Sequence, residues 1–294
     1  MRSFTVVIPA YNAADYLQEQ LEALLHNTVD IPEIIVSDNG STDSTKALVE
    51  CFAQKHKNIK YLYSGERAGV SYARNKGVQQ VHNELILLCD ADDIVAEDWA
   101  EKLVEALETA DLVGSGYHSY LYDEDKDGYE VLSTSFQQPS VFNNQPYSLS
   151  CSMGMKKSTF DVVGGFDESY RGGHEEVDFC LRVSAVGLIH RWVDEPLIFY
   201  RQRPSTKGLA RQSRHYGRTW VQLATNFSPE FDHHIPSFKL MLRKVLPSLP
   251  RYFRQKGHTW SEIRGFWWNL GVLEGVIRYR VLGMLPSRSL VDGK

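Results

Sequence analysis

Leu85-Ile86-Leu87-Leu88-Cys89-Asp90-Ala91-Asp92-Asp93 is the stretch whose pattern decides the architecture. Its apolar run shows no polar alternation, so it reads as a strand covered on both faces, the kind found in a parallel sheet flanked by helices. The carboxylates then fall just past the strand's carboxyl end, where open parallel sheets bind their ligands. Residues two apart at a strand end point the same way, so Asp90 and Asp92 can face one hard cation and its phosphate partners. The plainer alternative is an acidic turn entering a helix, where Asp is favoured in any case.

The pattern repeats on the way out from this segment. Phe4 to Ile8 is a β-branched run ended by Pro9, Ile34 to Val36 a second strand, and Ile59 to Tyr63 a third. Helical spacing separates them, at Leu17, Leu21, Leu24 and Leu25, at Leu48, Val49 and Phe52, and from Tyr72 to Val81. Trp99, Leu103 and Leu107 continue the series. Such alternation predicts an α/β fold with a mostly parallel sheet and right-handed crossovers. Pro9-Ala10-Tyr11-Asn12 and Ser37-Asp38-Asn39-Gly40 then share one rim with Asp90-Ala91-Asp92. Asp38 could accept a hydrogen bond from a base or ribose, yet Asp-Asn-Gly is equally a turn sequence. Ser41, Thr42 and Asp43 read as helix caps rather than ligands. Arg74, on a helix after a loop containing Gly69, could neutralise phosphate or form a structural ion pair.

A second carboxylate centre lies at Gly172-Gly173-His174-Glu175-Glu176-Val177-Asp178. The spacing of Val177, Cys180, Leu181 and Ala185 predicts a helix from near His174. Glu175 and Glu176 in its first turn would suit the helix dipole, which alone accounts for them. The functional reading is that the glycine loop carries one of these carboxylates to the rim as a general base. Asp178 and Arg182, four apart, read as a surface pair.

Composition limits the remaining choices. A chain of 294 residues, 43% hydrophobic and 23% charged, is ordinary for a globular protein. The start, Met1-Arg2-Ser3, runs straight into a strand-like segment and so reads as lacking a secretory signal, and no apolar run nears the roughly 20 residues of a spanning helix. Cys51, Cys89, Cys151 and Cys180 are far apart, which suits reduced thiols and a cytoplasmic location. The net charge of −5 is uneven. Ile235 to Lys294 holds eleven Lys and Arg against Glu262, Glu274 and Asp292, a balance of +8 that leaves −13 for the rest. The polar stretch from Asp123 to Gln145 reads as exposed hairpins or loops, and after Arg203-Pro204 the pattern is helical alone. We therefore expect a nucleotide-binding domain over residues 1–204 and a basic, aromatic-rich helical region over 205–294. Phe266, Trp267 and Trp268 among Arg264, Arg278 and Arg280 suit an anionic membrane surface, peripheral on the inner face, at least as well as nucleic acid. Packing on the catalytic body or a homodimer interface are the other uses of such residues.

Taken together, five segments resemble the family 2 glycosyltransferases with the GT-A fold. They are Val6 to Asn12, Val36 to Asp43, Gly69 to Gly77, Leu88 to Asp93, and Gly164 to Glu168 leading into Glu175 to Arg182. The resemblance, spanning residues 4 to 203, implies a Rossmann-like sheet and inverting transfer from a nucleotide diphosphate sugar, usually a UDP sugar, to a hydroxyl-bearing glycan or lipid-linked acceptor. It implies that Pro9, Ala10, Tyr11, Asn12, Asp38, Gly69 and Arg74 serve the donor, with Asp90, Ala91 and Asp92 at its ribose and pyrophosphate. Asp92, then Asp90, would hold Mn or Mg, and Glu176 or Glu175 would be the base. Two departures stand out. The family usually has Glu-Asp at Glu175-Glu176, and the added methylene extends the carboxylate by about 1.5 Å. It also often has His where Tyr200-Arg201-Gln202-Arg203 carries Arg203, which cannot ligate a cation but could pair with the diphosphate. No Gln-x-x-Arg-Trp segment of the processive synthases is present, so single addition is expected.

Two other functions compete. A nucleotidyltransferase could use a related acidic site, but would bring a Gly-rich basic phosphate loop that Pro9-Ala10-Tyr11-Asn12 does not supply. A non-catalytic nucleotide-sugar-binding module would tolerate Glu176 and Arg203.

Overall fold

β1 (Phe4–Ala10) is buried along its whole length, as its apolar sequence requires. In the computed structural model, which describes residues 3–123, 128–202, 205–255 and 257–291, it is followed by α1 (Leu17–Leu25), β2 (Ile34–Asp38), α2 (Thr45–Lys55), β3 (Ile59–Tyr63), α3 (Val70–Gln79) and β4 (Leu85–Leu88). Then come β5 (Ile94–Val95), α4 (Trp99–Ala106), β6 (Leu112–Asp123), β7 (Gly128–Ser135), β8 (Ser140–Val141), β9 (Gln145–Pro146), β10 (Met153–Lys156), α5 (Lys157–Val163), α6 (Glu175–Ala185) and β11 (His190–Arg201). The rest is helical: α7 (Thr206–Asn226), α8 (Phe238–Val245), α9 (Ser248–Arg254) and α10 (Trp260–Val276), which runs into a π turn at Ile277–Val281.

The chain forms two compact units, one of Met1–Glu168, Glu176–Gln202 and Leu290–Lys294, the other of Ser169–Glu175 and Arg203–Ser289. In the first, the main sheet runs β3-β2-β1-β4-β10-β6-β11-β5, with β7 paired to β6. The first four strands are parallel. β10 enters antiparallel between β4 and β6, whereas β6 and β11 are parallel to each other. The predicted alternation accounts for the parallel half. The other half follows from long-range pairing of β10 and β11, which no local period announces.

Alternation along β1 sends Val6 and Ile8 into one core and Val7 into another. Leu17, Leu21, Trp99 and Leu103 cover the first face, and Val78, Phe160 and Phe179 the second. Both faces are thus dry, and polar side chains collect at strand ends. β1 continues through Pro9, paired with Ser37, because β4 has already ended opposite Val7 and Pro is tolerated where a neighbour strand is missing. The polar stretch from Asp123 to Gln145 contributes β7 and part of the β8–β9 ribbon, except for residues 124–127, which lie outside those described.

The second unit has its own core of Val221, Met241, Val245, Val272, Val276 and Tyr279. α7 and α10 pack backbone to backbone: a Cβ on Gly271 would lie 2.0 Å from the Arg214 carbonyl oxygen. Of the tail aromatics, Phe266 and Tyr279 are buried, Trp267 and Trp268 half-buried, and Trp260 exposed. Among the described residues no helix is long and apolar enough to cross a membrane. Gly271→Ala should lower stability by about 1–3 kcal/mol by forcing α7 and α10 apart. Urea unfolding checks this, and an unchanged midpoint would refute the close seam.

Candidate active site

The parallel strands β2, β1 and β4 bring their carboxyl ends to one edge, where Pro9 to Asn12, Asp38 and Asp90 to Asp92 lie. Asn39 N–H donates to the Ala10 carbonyl, joining the first two loops. Asn12, in the left-handed region at φ 48°, donates its N–H to Ser41 Oγ and accepts from Thr42 N–H. Asp43 accepts from Thr45 N–H and Oγ1 at the start of α2, and from Ala14 N–H. These polar residues hold β1 and β2 loops together, while Tyr11 stands 64% exposed above them.

Asp38 is buried and fully engaged. Its Oδ1 accepts from Ser41 N–H and Oγ at 2.9 and 2.6 Å, and its Oδ2 from the Tyr61 hydroxyl at 2.8 Å. Burial, then this carboxylate, pushes the Tyr61 phenol well up, which keeps it a donor. Asn39 accepts from Gly69 N–H and donates to the Ser64 and Arg67 carbonyls, setting the entry to α3.

Asp90-Ala91-Asp92 lies beyond β4, which ends at Leu88, one residue before the expected Cys89. The acidic triplet therefore occupies the turn between β4 and β5, and strand alternation does not set its side-chain directions. Arg74, buried on α3, donates from Nη2 to Asp90 Oδ1 at 2.7 Å, so the ion-pair reading of Arg74 describes this structure. Gln20 holds the Asp90 carbonyl and accepts from Val95 N–H. Asp93 turns inward, 1% exposed, with Oδ1 accepting from Arg201 N–H. Burial, then the charges of Asp92 and Asp90, push its carboxyl well up, and its Oδ2 has no partner among the described residues.

Arg201 is a neighbour of the acidic turn that no local sequence pattern marks. Its Nε donates to the Asp92 carbonyl at 3.0 Å and its Nη2 to Glu19, and its guanidinium lies 4.8 and 5.2 Å from the Tyr16 and Tyr120 ring centres. The expected residue of the same Tyr-Arg-Gln-Arg run, Arg203, lies outside the described residues.

Another pair of motifs is joined by Asn75. It accepts from Phe166 N–H and donates to the Phe166 carbonyl and to Glu168, so the loop after α5 is locked to α3. Gly165 is required there: its φ is +71° and a Cβ would come within 2.9 Å of Asn75 Oδ1.

α6 begins at Glu175, preceded by His174 at φ 70°. Glu175 is 5% exposed, whereas Glu176 is half-buried. The Asp178–Arg182 pair forms at 2.8 Å, but Asp178 is fully buried. This corrects the surface reading: Arg182 also donates to the Val163 carbonyl, so the pair ties α6 to the end of α5. Cys151, in the first unit, is buried. Burial raises that thiol well above its ordinary value, Asp93 and Asp90 add to the rise, Arg74 opposes, and Glu176 adds again.

The donor set fits a hard divalent cation only in part. Asp90 and Asp92 supply carboxylate oxygens at the edge, and among the described residues no group of three or more His, Cys, Asp or Glu comes together to hold a metal. A cation held there would need phosphate oxygens and water to complete its ligands, as Mg prefers.

Residues 5–166, more than half of the chain, match the sequence model of the family described as glycosyl transferase family 2. The chain belongs to that family. Glycosyltransferase GlyG of Streptococcus pneumoniae serotype 4 is 34% identical over 118 residues, 40% of this chain and 39% of GlyG; the match thus spans about two fifths of that relative's length. Among solved structures, S. aureus TarS 1-349 in complex with UDP superposes with a TM-score of 0.56 at 18% identity, covering 99% of this chain and 95% of that one. Mannosyltransferase PcManGT from Pyrobaculum calidifontis, in complex with GDP-Man and Mn2+, gives 0.57 at 16% identity, covering 97% and 77%. These likenesses establish the GT-A fold for this family 2 member.

His174 yields a pH prediction. Its ring contacts Tyr216 and Trp268, its Nδ1 meets Thr219 Oγ1 at 2.9 Å, and burial lowers its pKa from 6.5 to about 4. Below 6.5 the unfolded chain takes up a proton that the native state refuses, so this contribution to stability is lost as pH falls towards 4. His174→Asn, which suits positive φ, should show a shallower fall in melting temperature over that window. Identical pH profiles would exclude the effect.

Proposed function

We propose that this family 2 member is an inverting, metal-dependent glycosyltransferase that takes a sugar from a nucleotide diphosphate sugar, with a UDP sugar as the donor. The observation that carries the reading is that the loops after β1 and β2 and the acidic turn after β4 share one edge in a family 2 chain, with Asp38 held by Ser41 and Tyr61 and Asp90 by Arg74. That edge offers carboxylates for the donor and its cation, and Glu176, half-buried in the first turn of α6, is the carboxylate assigned to the acceptor. The UDP bound to TarS and the GDP-Man and Mn2+ bound to PcManGT support a nucleotide diphosphate and a divalent cation.

In this reading the base and ribose lie along Pro9 to Asn12 and Asp38, with Gly69 and Arg74 behind the phosphates. Asp92 and Asp90 would hold Mn or Mg, whose charge offsets that of the diphosphate. Glu176 is the base rather than the more buried Glu175. It removes the proton as the acceptor hydroxyl oxygen attacks the anomeric carbon. That carbon's bond to the diphosphate oxygen breaks, the electron pair leaves with the diphosphate, and the configuration inverts. Alignment of the two substrates supplies much of the remaining acceleration. The acceptor we propose is a hydroxyl of a surface glycan or lipid-linked saccharide, with the enzyme at the cytoplasmic face of the membrane.

UDP with Mn2+ should raise the melting temperature of the full chain, since a ligand that binds only the folded state stabilises it. Asp92→Ala should abolish the metal-dependent part. Glu176→Gln should keep the UDP shift but slow transfer by about a hundredfold or more. No shift with any nucleotide would reject the donor site, and full transfer by Glu176→Gln would reject the base.

A further inference from the structure

We infer that the outward side of the second unit, around α8 and the chain after the π turn, docks on an anionic lipid bilayer. Met241 and Val245 of α8 are buried with Val276 and Tyr279 in the same core. This directs Lys239, Leu240, Arg243 and Lys244 outward, and all four are exposed. The π turn packs against α8, and the chain just beyond it leaves Leu282 and Leu285 64% and 79% exposed.

Charge complementarity identifies the partner. Between Ile235 and Val291 there are two carboxylates, and both are engaged: Glu262 closes the capping box of α10, and Glu274 is bound by Arg214. Lys239, Arg243, Lys244, Arg254, Arg264 and Arg278 are exposed and form no ion pair among the described residues. A surface with uncompensated cations beside exposed aliphatic side chains matches the interface of an anionic bilayer, with headgroup phosphates for the cations and acyl chains for the leucines. A nucleic acid would satisfy the cations but gain little from Leu240, Leu282 and Leu285. A second copy would bring like charges together on a two-fold interface.

The inference extends the lipid-linked acceptor of the preceding section but is tested without it. The full chain should float with phosphatidylcholine vesicles containing about a quarter phosphatidylglycerol at low salt. It should not float with phosphatidylcholine alone, and about 1 M salt, which shortens the Debye length to about 3 Å, should release it. Combined Lys239→Glu, Arg243→Glu and Lys244→Glu substitutions should lower the partition coefficient by about a hundredfold. Leu282→Asn with Leu285→Asn should lower it independently, testing the apolar part. All variants should keep the parent melting temperature and UDP response, so a failure of docking is distinguished from a failure of the donor site. Flotation unaffected by either set, absent from both vesicle types, or replaced by a dimer that the charge reversals dissolve would overturn the proposal.

Discussion

Burial of the central strands on both faces is the constraint on which the rest depends. Val6, Val7 and Ile8, like Ile86, Leu87 and Leu88, have dry cores on either side, so an unpaired polar group within them would cost far more than it could return. Ionisable side chains can therefore leave the sheet only where its strands end. The clustering of Asn12, Asp38 and Asp90 at one edge follows from hydrophobic burial before any catalytic demand is considered.

At that edge the carboxylates are managed by different means. Asp38 is satisfied by hydrogen bonds from Ser41 and Tyr61, Asp90 is paired with the Arg74 cation, and Asp93 is held by burial that favours its protonated form. Asp92, between them, has its backbone carbonyl fixed by Arg201. Three adjacent acids in one short turn thus acquire unlike electrostatic surroundings.

Much of this was legible in the sequence because it is local. Strand and helix periods located β1 to β4 and the helices between them to within a few residues, and the turn residues after β1 and β2 announced the binding edge. What escaped reading is long-range. The antiparallel insertion of β10 depends on pairing with both β4 and β6. The burial of Asp178 depends on where α5 packs, since spacing four apart looks the same on a wet face and a dry one. Arg201 was hidden because its partners Glu19, Asp92 and Asp93 lie about a hundred residues or more away in sequence, and contact at such separation leaves no local pattern.

Arg201 couples four parts of the chain. Its backbone and side chain bind the acidic turn, Glu19 on α1 and the rings of Tyr16 and Tyr120, from the last position of β11. The acidic turn is therefore not a portable motif. Grafted into another member of the family without Arg201, Glu19 and its two aromatic flanks, the same four letters would lose the brace on the Asp92 carbonyl. In this chain the turn, the start of the first helix and the end of the last strand are thus one mechanical block, and a substitution in any of them is felt by the other two.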